Sequence, residues 1–321
     1  MSISAYPGLS GSQSAITEPP EVSIIVVSYG TRDMTLACLD SIVRETVGLS
    51  YEVIVVDNAS TDGSAEAIAT RFPDFRLLAE TENLGFAAAN NFAARHANGK
   101  YILLLNPDTI VLDHAVERLV AFAKRRPQAG IWGGRTLFGD RSLNATSCWA
   151  KLSFWNLFCS GVGLAMVFPN SPVFNSGSYG GWNRDTEREV DVVTGCLLLI
   201  ERVLWDRLGG FDKDFFMYGE DADLCLRAAA LGLRPAITPD ATIVHYGGAT
   251  EQDSARKIKR VLAAKARLIG KFFPKGTQGA ALALLSLKPA IKSVMSSAND
   301  KKMWREVWAD RVLWQAGKFA G

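Results

Sequence analysis

The chain has 321 residues, 48% hydrophobic and 21% charged, with 28 Gly and 12 Pro. Globular proteins use about 45–50% apolar and about 25% charged residues, so collagen-like, mucin-like and wholly disordered chains are excluded. The net charge of +2 hides a split: residues 251–321 hold 15 Lys/Arg and 5 Asp/Glu, hence +10, whereas residues 1–250 hold 20 and 28, hence −8.

Residues 1–20, rich in Ser, Gly and Pro without an apolar run, read as a flexible leader. From position 22 the chain alternates apolar runs with amphipathic stretches. The run 22–28 (Val-Ser-Ile-Ile-Val-Val-Ser) has the composition of a strand buried on both faces. Residues 31–47 place Leu36, Leu39, Ile42, Val43 and Thr46 at helical spacing. A second strand follows at 52–57, a helix from 62 to about 72, a short strand at 75–79, an alanine-rich helix at 86–97, a strand at 101–105 and a helix at 113–124. Short loops between strands and helices predict βαβ units, a mainly parallel sheet and helices on both faces. Residues 131–190, with eight glycines and four tryptophans, read as irregular structure, either an aromatic-lined loop region over a site or packing under long loops. Strand character returns at 192–200 and 241–245, a helix is expected at 221–231, and the tail from 254 is helical.

The domain reading is a leader over 1–20, a catalytic unit over 21–250 with halves 21–130 and 131–250, and a basic helical extension over 251–321. The longest apolar stretch, 157–168, is too short to span a bilayer, which needs ~20 residues. Five cysteines in no metal-ligand or CxxC spacing favour a reducing compartment. No P-loop and no dinucleotide-binding glycine fingerprint occurs, and the tail has no nucleic-acid-binding pattern.

Ligands of open parallel sheets bind beyond the C-terminal ends of the strands. Those ends are all small and polar here: Ser28-Tyr29-Gly30, Asp57-Asn58, Asn83-Leu84-Gly85 and Asn106-Pro107-Asp108. Asp57 either caps a turn or accepts from a base N–H or a ribose hydroxyl, and its place directly on a strand end favours the second. Asp108, on a proline-stiffened turn, is either a surface turn residue or a ligand for Mg²⁺ or Mn²⁺, which share oxygen ligands with phosphates. Glu220 and Asp221 at a helix start either offset the helix dipole or provide a general base. Asp223 and Arg227 are spaced for an ion pair. His245 is either a core histidine or a metal ligand.

These segments together, with Asp57 through Ser64, Glu82 through Asn91, Leu104 through Asp108, Thr194-Gly195, Gly209 through Asp212 and Phe216 through Arg227, resemble the family 2 glycosyltransferases of GT-A fold, rhamnosyltransferase-like branch. The resemblance covers roughly 22–250. It implies an α/β fold with a central sheet flanked by helices, and an inverting transfer of a sugar, L-rhamnose from dTDP-rhamnose, onto a glycan or lipid-linked saccharide. A UDP-hexose donor or a non-catalytic nucleotide-sugar or glycan binder are the alternatives. By position it implies that Ser28, Tyr29, Gly30, Asp57, Asn83, Gly85, Asn106 and Asp108 hold the nucleotide and donor. Asp221 is then the base with Glu220 beside it, Gly195 and Trp182 line the sugar and acceptor pocket, and Asp108 and His245 hold Mg²⁺ or Mn²⁺. Asn106 stands where the family's first carboxylate stands, which weakens the expected metal site. Cytoplasmic residence follows, with the basic end suited to an anionic membrane surface, to packing on the domain or to a partner chain. No nucleic-acid partner is expected, and self-association is left open.

Overall fold

A computed structural model describes residues 18–247 and 253–318, without the side chains of 298 and 299. The leader expected over 1–20 therefore lies almost wholly outside the described residues.

In chain order the structure runs β1 (Val22–Ser28), α1 (Arg32–Glu45), β2 (Tyr51–Asp57), α2 (Ser64–Arg71), β3 (Arg76–Ala79), α3 (Phe86–Ala94), β4 (Tyr101–Leu105), β5 (Thr109–Val111) and α4 (Ala115–Arg125). Then come β6 (Ile131–Leu137), β7 (Leu143–Asn144), β8 (Cys148–Trp149), α5 (Phe154–Gly161), α6 (Leu164–Val167), β9 (Arg188–Glu189), β10 (Val192–Val193), β11 (Leu197–Glu201) and α7 (Arg202–Leu208). The chain closes with α8 (Glu220–Ala230), β12 (Ala236–His245), α9 (Ser254–Phe272), α10 (Gln278–Met295), α11 (Ala298–Ala309) and α12 (Arg311–Gln315).

The main sheet has the order β3-β2-β1-β4-β11-β6-β12-β5. Its first four strands pair in parallel, and so do β6 and β12. β11 runs against both β4 and β6. Successive residues of β1 and β4 point to opposite faces, and both faces are covered. Ile24, Val26, Leu103 and Leu105 pack with Leu39 of α1, Ile68 of α2 and Leu119 of α4. Ile25, Val27 and Leu104 pack with Ala89 of α3, Trp205 of α7 and Leu224 of α8.

Three expectations change. Residues 131–137 form β6, a central strand; Gly133 and Gly134 are not turn residues. A Cβ on Gly134 would stand 2.1 Å from the Ala241 carbonyl oxygen, and one on Gly133 2.4 Å from Val193, so the sheet closes there only around glycine. The strand expected over 241–245 begins at Ala236 and passes a bulge between Thr238 and Thr242. The stretch 192–200 is two strands separated by Thr194-Gly195-Cys196.

The tail is not a separate appendage. α9 packs Ala264 and Leu268 against Phe215, with Tyr218, Ala222 and Leu226 at the margin. A second core joins Leu262, Ile269, Leu285, Val307 and Trp314 among α9 to α12. No helix among the described residues is long and apolar enough to cross a membrane.

Candidate active site

The ends of β1, β2 and β4 lie side by side because Ser28 pairs with Asp57 and Val26 with Leu105 in register. Ser28 turns inward, its hydroxyl 2.8 Å from that of Thr35, and so supports the turn. Tyr29 stands exposed beside it. Gly30 has φ +61° and donates its N–H to Ser60 Oγ (2.9 Å). Asp57 is buried; Oδ2 accepts from Ser60 N–H (3.3 Å), whereas Oδ1 has no hydrogen-bond partner among the described residues. A buried carboxylate oxygen without a partner is costly unless a ligand or water meets it.

Asn58 couples β2 to the next strand end, donating to Asn83 Oδ1 (2.9 Å) and accepting from Leu84 N–H (2.9 Å). Asn83 Oδ1 also accepts from Gly85 N–H. Gly85 serves a close approach: at φ +77°, a Cβ there would lie 2.6 Å from the Phe216 ring and 2.7 Å from the Phe216 carbonyl oxygen. That carbonyl accepts from Phe86 N–H. The glycine thus lets the loop after β3 touch the segment that leads into α8.

The turn after β4 meets the end of β12. His245 pairs with Thr109 in the antiparallel ladder, which brings His245 Nε2 to 3.4 Å from Asp108 Oδ1 and 3.3 Å from Asn106 Nδ2. Gly247 N–H donates to Asp108 Oδ2 (3.0 Å). Burial opposes a charge on His245, but the Cys196 sulfur and the Asp108 carboxylate outweigh it and push the imidazole up to about 10. Asn106 Oδ1 and His245 Nδ1 are buried without hydrogen-bond partners. Asp108 and His245 are a carboxylate–imidazole pair suited to a divalent cation, with the orphaned Asn106 oxygen alongside. No group of three or more His, Cys, Asp or Glu capable of holding a metal occurs among the described residues. Asp108, the Asn106 oxygen and a deprotonated His245 are the donors that a divalent cation could use here.

β11 links this pair to α8. It pairs with β4 on one side, and Asn106 N–H donates to the Cys196 carbonyl (3.3 Å). One residue earlier, Gly195 N–H donates to Asp221 Oδ2 (3.2 Å), while Asp221 Oδ1 accepts from Ala222 N–H (2.7 Å). A Cβ on Gly195 would press on the Phe86 ring at 3.2 Å. Glu220 is buried and its Oε2 has no hydrogen-bond partner among the described residues. Burial raises the pKa of both carboxyls, and the Asp221 charge raises Glu220 further, well above the usual carboxylate range. Tyr218 and Gly219 both have positive φ, +71° and +89°, so the chain makes a strained turn immediately before the two acids.

Sequence reasoning assigned no site role to the cations that hold this helix. The expected Asp223–Arg227 pair forms at 2.7 Å, and Arg227 also donates to the carbonyls of Leu208 (2.6 Å) and Gly210 (2.8 Å). Lys271 of α9 contacts the same buried Asp223 and also Asp212 (2.7 Å). Arg267 pairs with Asp214 (3.1 Å), and Arg260 lies over the Phe216 ring at 5.4 Å. The run of cations from 256 to 271 was the available signal, but the anions of Arg267 and Lys271 lie more than 40 residues earlier and those of Lys259 more than 40 residues later.

Trp182 sits apart from these contacts, stacked edge-on to Tyr179 with its Nε1 donating to Thr186 (3.1 Å). Buried Arg184 fixes that loop through the carbonyls of Ser178 and Trp182.

A mainly parallel sheet that gathers polar strand ends, a carboxylate–imidazole pair and buried acids at a helix start defines an α/β protein with one composite polar site. The sequence profile of Glycosyl transferase family 2 matches residues 23–200, and the chain belongs to that family. The O-antigen biosynthesis protein RfbC of Myxococcus xanthus is 30% identical over 245 residues, covering 74% of this chain and 18% of that protein. The N-acetylglucosaminyl-diphospho-decaprenol L-rhamnosyltransferase of Mycobacterium tuberculosis (strain CDC 1551 / Oshkosh) is 28% identical over 207 residues, covering 60% of this chain and 66% of that one. The chain thus spans less than two thirds of either relative. Among solved structures, mannosyltransferase PcManGT from Pyrobaculum calidifontis, in complex with GDP-Man and Mn²⁺, superposes with a TM-score of 0.57 at 22% identity, over 94% of this chain and 89% of that one. The fold is GT-A.

Proposed function

We propose that the protein is an inverting glycosyltransferase of cell-surface polysaccharide synthesis. It moves L-rhamnose from dTDP-rhamnose to a hydroxyl of a glycan or lipid-linked saccharide. One observation carries the reading: Asp221 is tied through Gly195 and β11 to the turn bearing Asn106 and Asp108, so a base and a phosphate-facing carboxylate share one sheet edge. The rhamnosyl donor and lipid-linked acceptor are supported by the name of the mycobacterial relative.

In this reading Asp57 accepts from the base or ribose through its open Oδ1, and Tyr29 covers the base. Asn106, Asp108 and His245 face the diphosphate. Asp108 and His245 would hold a Mg²⁺ or Mn²⁺, whose charge, when bound, would offset that of the departing diphosphate. Asp221 takes the proton of the acceptor hydroxyl as its oxygen bonds to C1; the C1–O bond to phosphate breaks, and its electron pair leaves with the nucleoside diphosphate. Attack opposite the leaving group inverts C1. Glu220 lies beside the base, and Gly195 and Trp182 border the sugar and acceptor side. The reaction takes place at the cytoplasmic face of the membrane, with the basic helices from 254 turned to a membrane-borne acceptor.

The test is incubation with a panel of nucleotide sugars and a polyprenyl-diphosphate saccharide, with product mass as readout. A mass gain of one deoxyhexose with dTDP-rhamnose alone is expected. A hexose gain from a UDP-sugar would replace the donor, and no transfer with any donor would leave a nucleotide-sugar-binding protein.

A further inference from the structure

Residues 152–183 contain no charged side chain, a run of 32 between Lys151 and Arg184. Such a run would ordinarily be core, yet much of it stands in solvent. α5 and α6 meet at Gly163 (φ +87°). They hold Trp155 and Phe158 exposed on one arm and Met166 (69% exposed), Val167 (63%) and Phe168 on the other. The aromatics form a raft: Phe174 lies 5.1 Å from Phe168 and 6.4 Å from Trp155, which in turn lies 5.9 Å from Phe158. Trp155 Nε1 donates to the Val173 carbonyl, so the ring is held in place.

α5 is seated on α10 through Gly161, whose Cα approaches so closely that an added Cβ would be 2.9 Å from Leu287. The stripe of α10 that begins at Leu284 and Leu287 continues at helical spacing through Ile291 to Val294 (67% exposed) and Met295 (78%). Lys288 and Lys292 stand on the same stretch of helix. Lys265 lies near enough for the Lys288 charge to lower its pKa, after burial as the larger cause. From 254 to 299 the chain has ten Lys/Arg and no Asp or Glu. Lys265, Lys288 and Lys292 have no ion pair among the described residues.

We infer that α5, α6 and the C-terminal half of α10 form one surface that inserts shallowly into an anionic lipid bilayer. Aromatic and aliphatic side chains free of charge for 32 residues enter the headgroup–acyl boundary, while the lysines of α10 meet the lipid phosphates. A second copy of the chain fits the surface poorly: the self-contact would face Lys288 and Lys292 with their own copies, and α9 and α10 offer no acid to neutralise them. This reading rests on the membrane-facing role of residues from 254 onward given above. Its test reads lipid binding and not sugar transfer, so either can fail alone.

The experiment is sedimentation of the full chain with vesicles of phosphatidylglycerol and phosphatidylcholine, and with phosphatidylcholine alone. Binding to the anionic vesicles is expected. Met166→Glu/Val167→Glu lowers it at least tenfold, as does Lys288→Gln/Lys292→Gln, since a cation near an anionic surface is worth roughly a fivefold change in partitioning. Val294→Glu/Met295→Glu repeats the first result at the other end of the surface, and unchanged circular dichroism and melting show that the variants fold. Equal sedimentation of these variants and the parent protein overturns the inference, as does indifference to phosphatidylglycerol. Self-association removed by the same substitutions in the absence of lipid also overturns it, and assigns the surface to a second copy.

Discussion

Asp221 meets backbone N–H groups on both oxygens, from Gly195 and Ala222, and so holds its carboxylate in a fixed plane next to the more deeply buried Glu220. Replacing it by Asn keeps the shape and removes the basic oxygen. Asp221→Asn is expected to retain donor binding by calorimetry and lose transfer by ~10²–10⁴-fold, the usual contribution of a general base; near-normal turnover would remove Asp221 from that role. The pH behaviour has two opposite signs. Burial raises both carboxyls, with the Asp221 charge adding to Glu220. Stability is therefore full below the ordinary carboxylate range near 4 and falls as pH rises through the higher folded values. Activity rises through the same interval, because only the deprotonated base accepts a proton. A kcat profile whose acid limb lies above the ordinary range, together with a declining Tm, is expected; Glu220→Gln flattens the decline in Tm by ~1–3 kcal/mol of relieved burial. A Tm equally pH-dependent in that variant would count against an unpaired buried Glu220. Asp57, Asp108, Asp221 and His245 stand out in the sequence as candidates because each lies at or just beyond the end of a strand or at the start of a helix. The reason for Gly85 does not, since the Phe216 backbone that forbids a Cβ there comes 131 residues later.

The element that carries the acids is gripped by a C-terminal helix, and both lie beyond the family-matched segment. α8 presents buried Asp223 to Arg227 on its own next turn and to Lys271 of α9. Lys271→Met leaves Asp223 with one partner and is expected to cost ~1–3 kcal/mol of stability. It lowers kcat by about tenfold or more at unchanged donor KM, because a displacement of ~1 Å can cost ~10²-fold. Lys271→Arg should restore kcat, and a variant with full kcat despite lower stability would leave Lys271 a purely structural cation. The elements of the first half followed from their patterns: unbroken Val/Ile/Leu runs gave β1, β2 and β4, and 3.6-residue spacing gave α1. β6 escaped because Trp132-Gly133-Gly134 looks like a turn when the crossing strand that excludes a Cβ is out of view. β12 lost its first half to Pro239-Asp240, which bulges the strand without ending it.

At the scale of the molecule, the charge split of the sequence resolves into an acidic α/β body held by basic helices. α9 lays Ala264 within 3.0 Å of where a Cβ on Gly219 would stand, so it closes directly over the turn before Glu220. A chain ending at 253 is expected to lose transfer, with amides of 214–226 exchanging orders of magnitude faster than those of β1 and β2. Unchanged protection of 214–226 would show that the turn before Glu220 stands without α9. The sequence made the helical, basic nature of the tail evident, but not its grip, because ion pairs between distant segments leave no periodic trace. The reversal of β11 has a wider meaning. The excursion from 138 to 196 starts at β6 and ends at its antiparallel neighbour β11, and between them, among the described residues, it pairs with the sheet only through the two-residue strands β7 and β9. Asp57, Asn83, Asp108 and His245 all lie outside that excursion. Its returning end is tied to the site through Gly195 and Cys196, so under the proposed function only the part between 150 and 189 is free to vary the acceptor side without disturbing the strand ends beneath it.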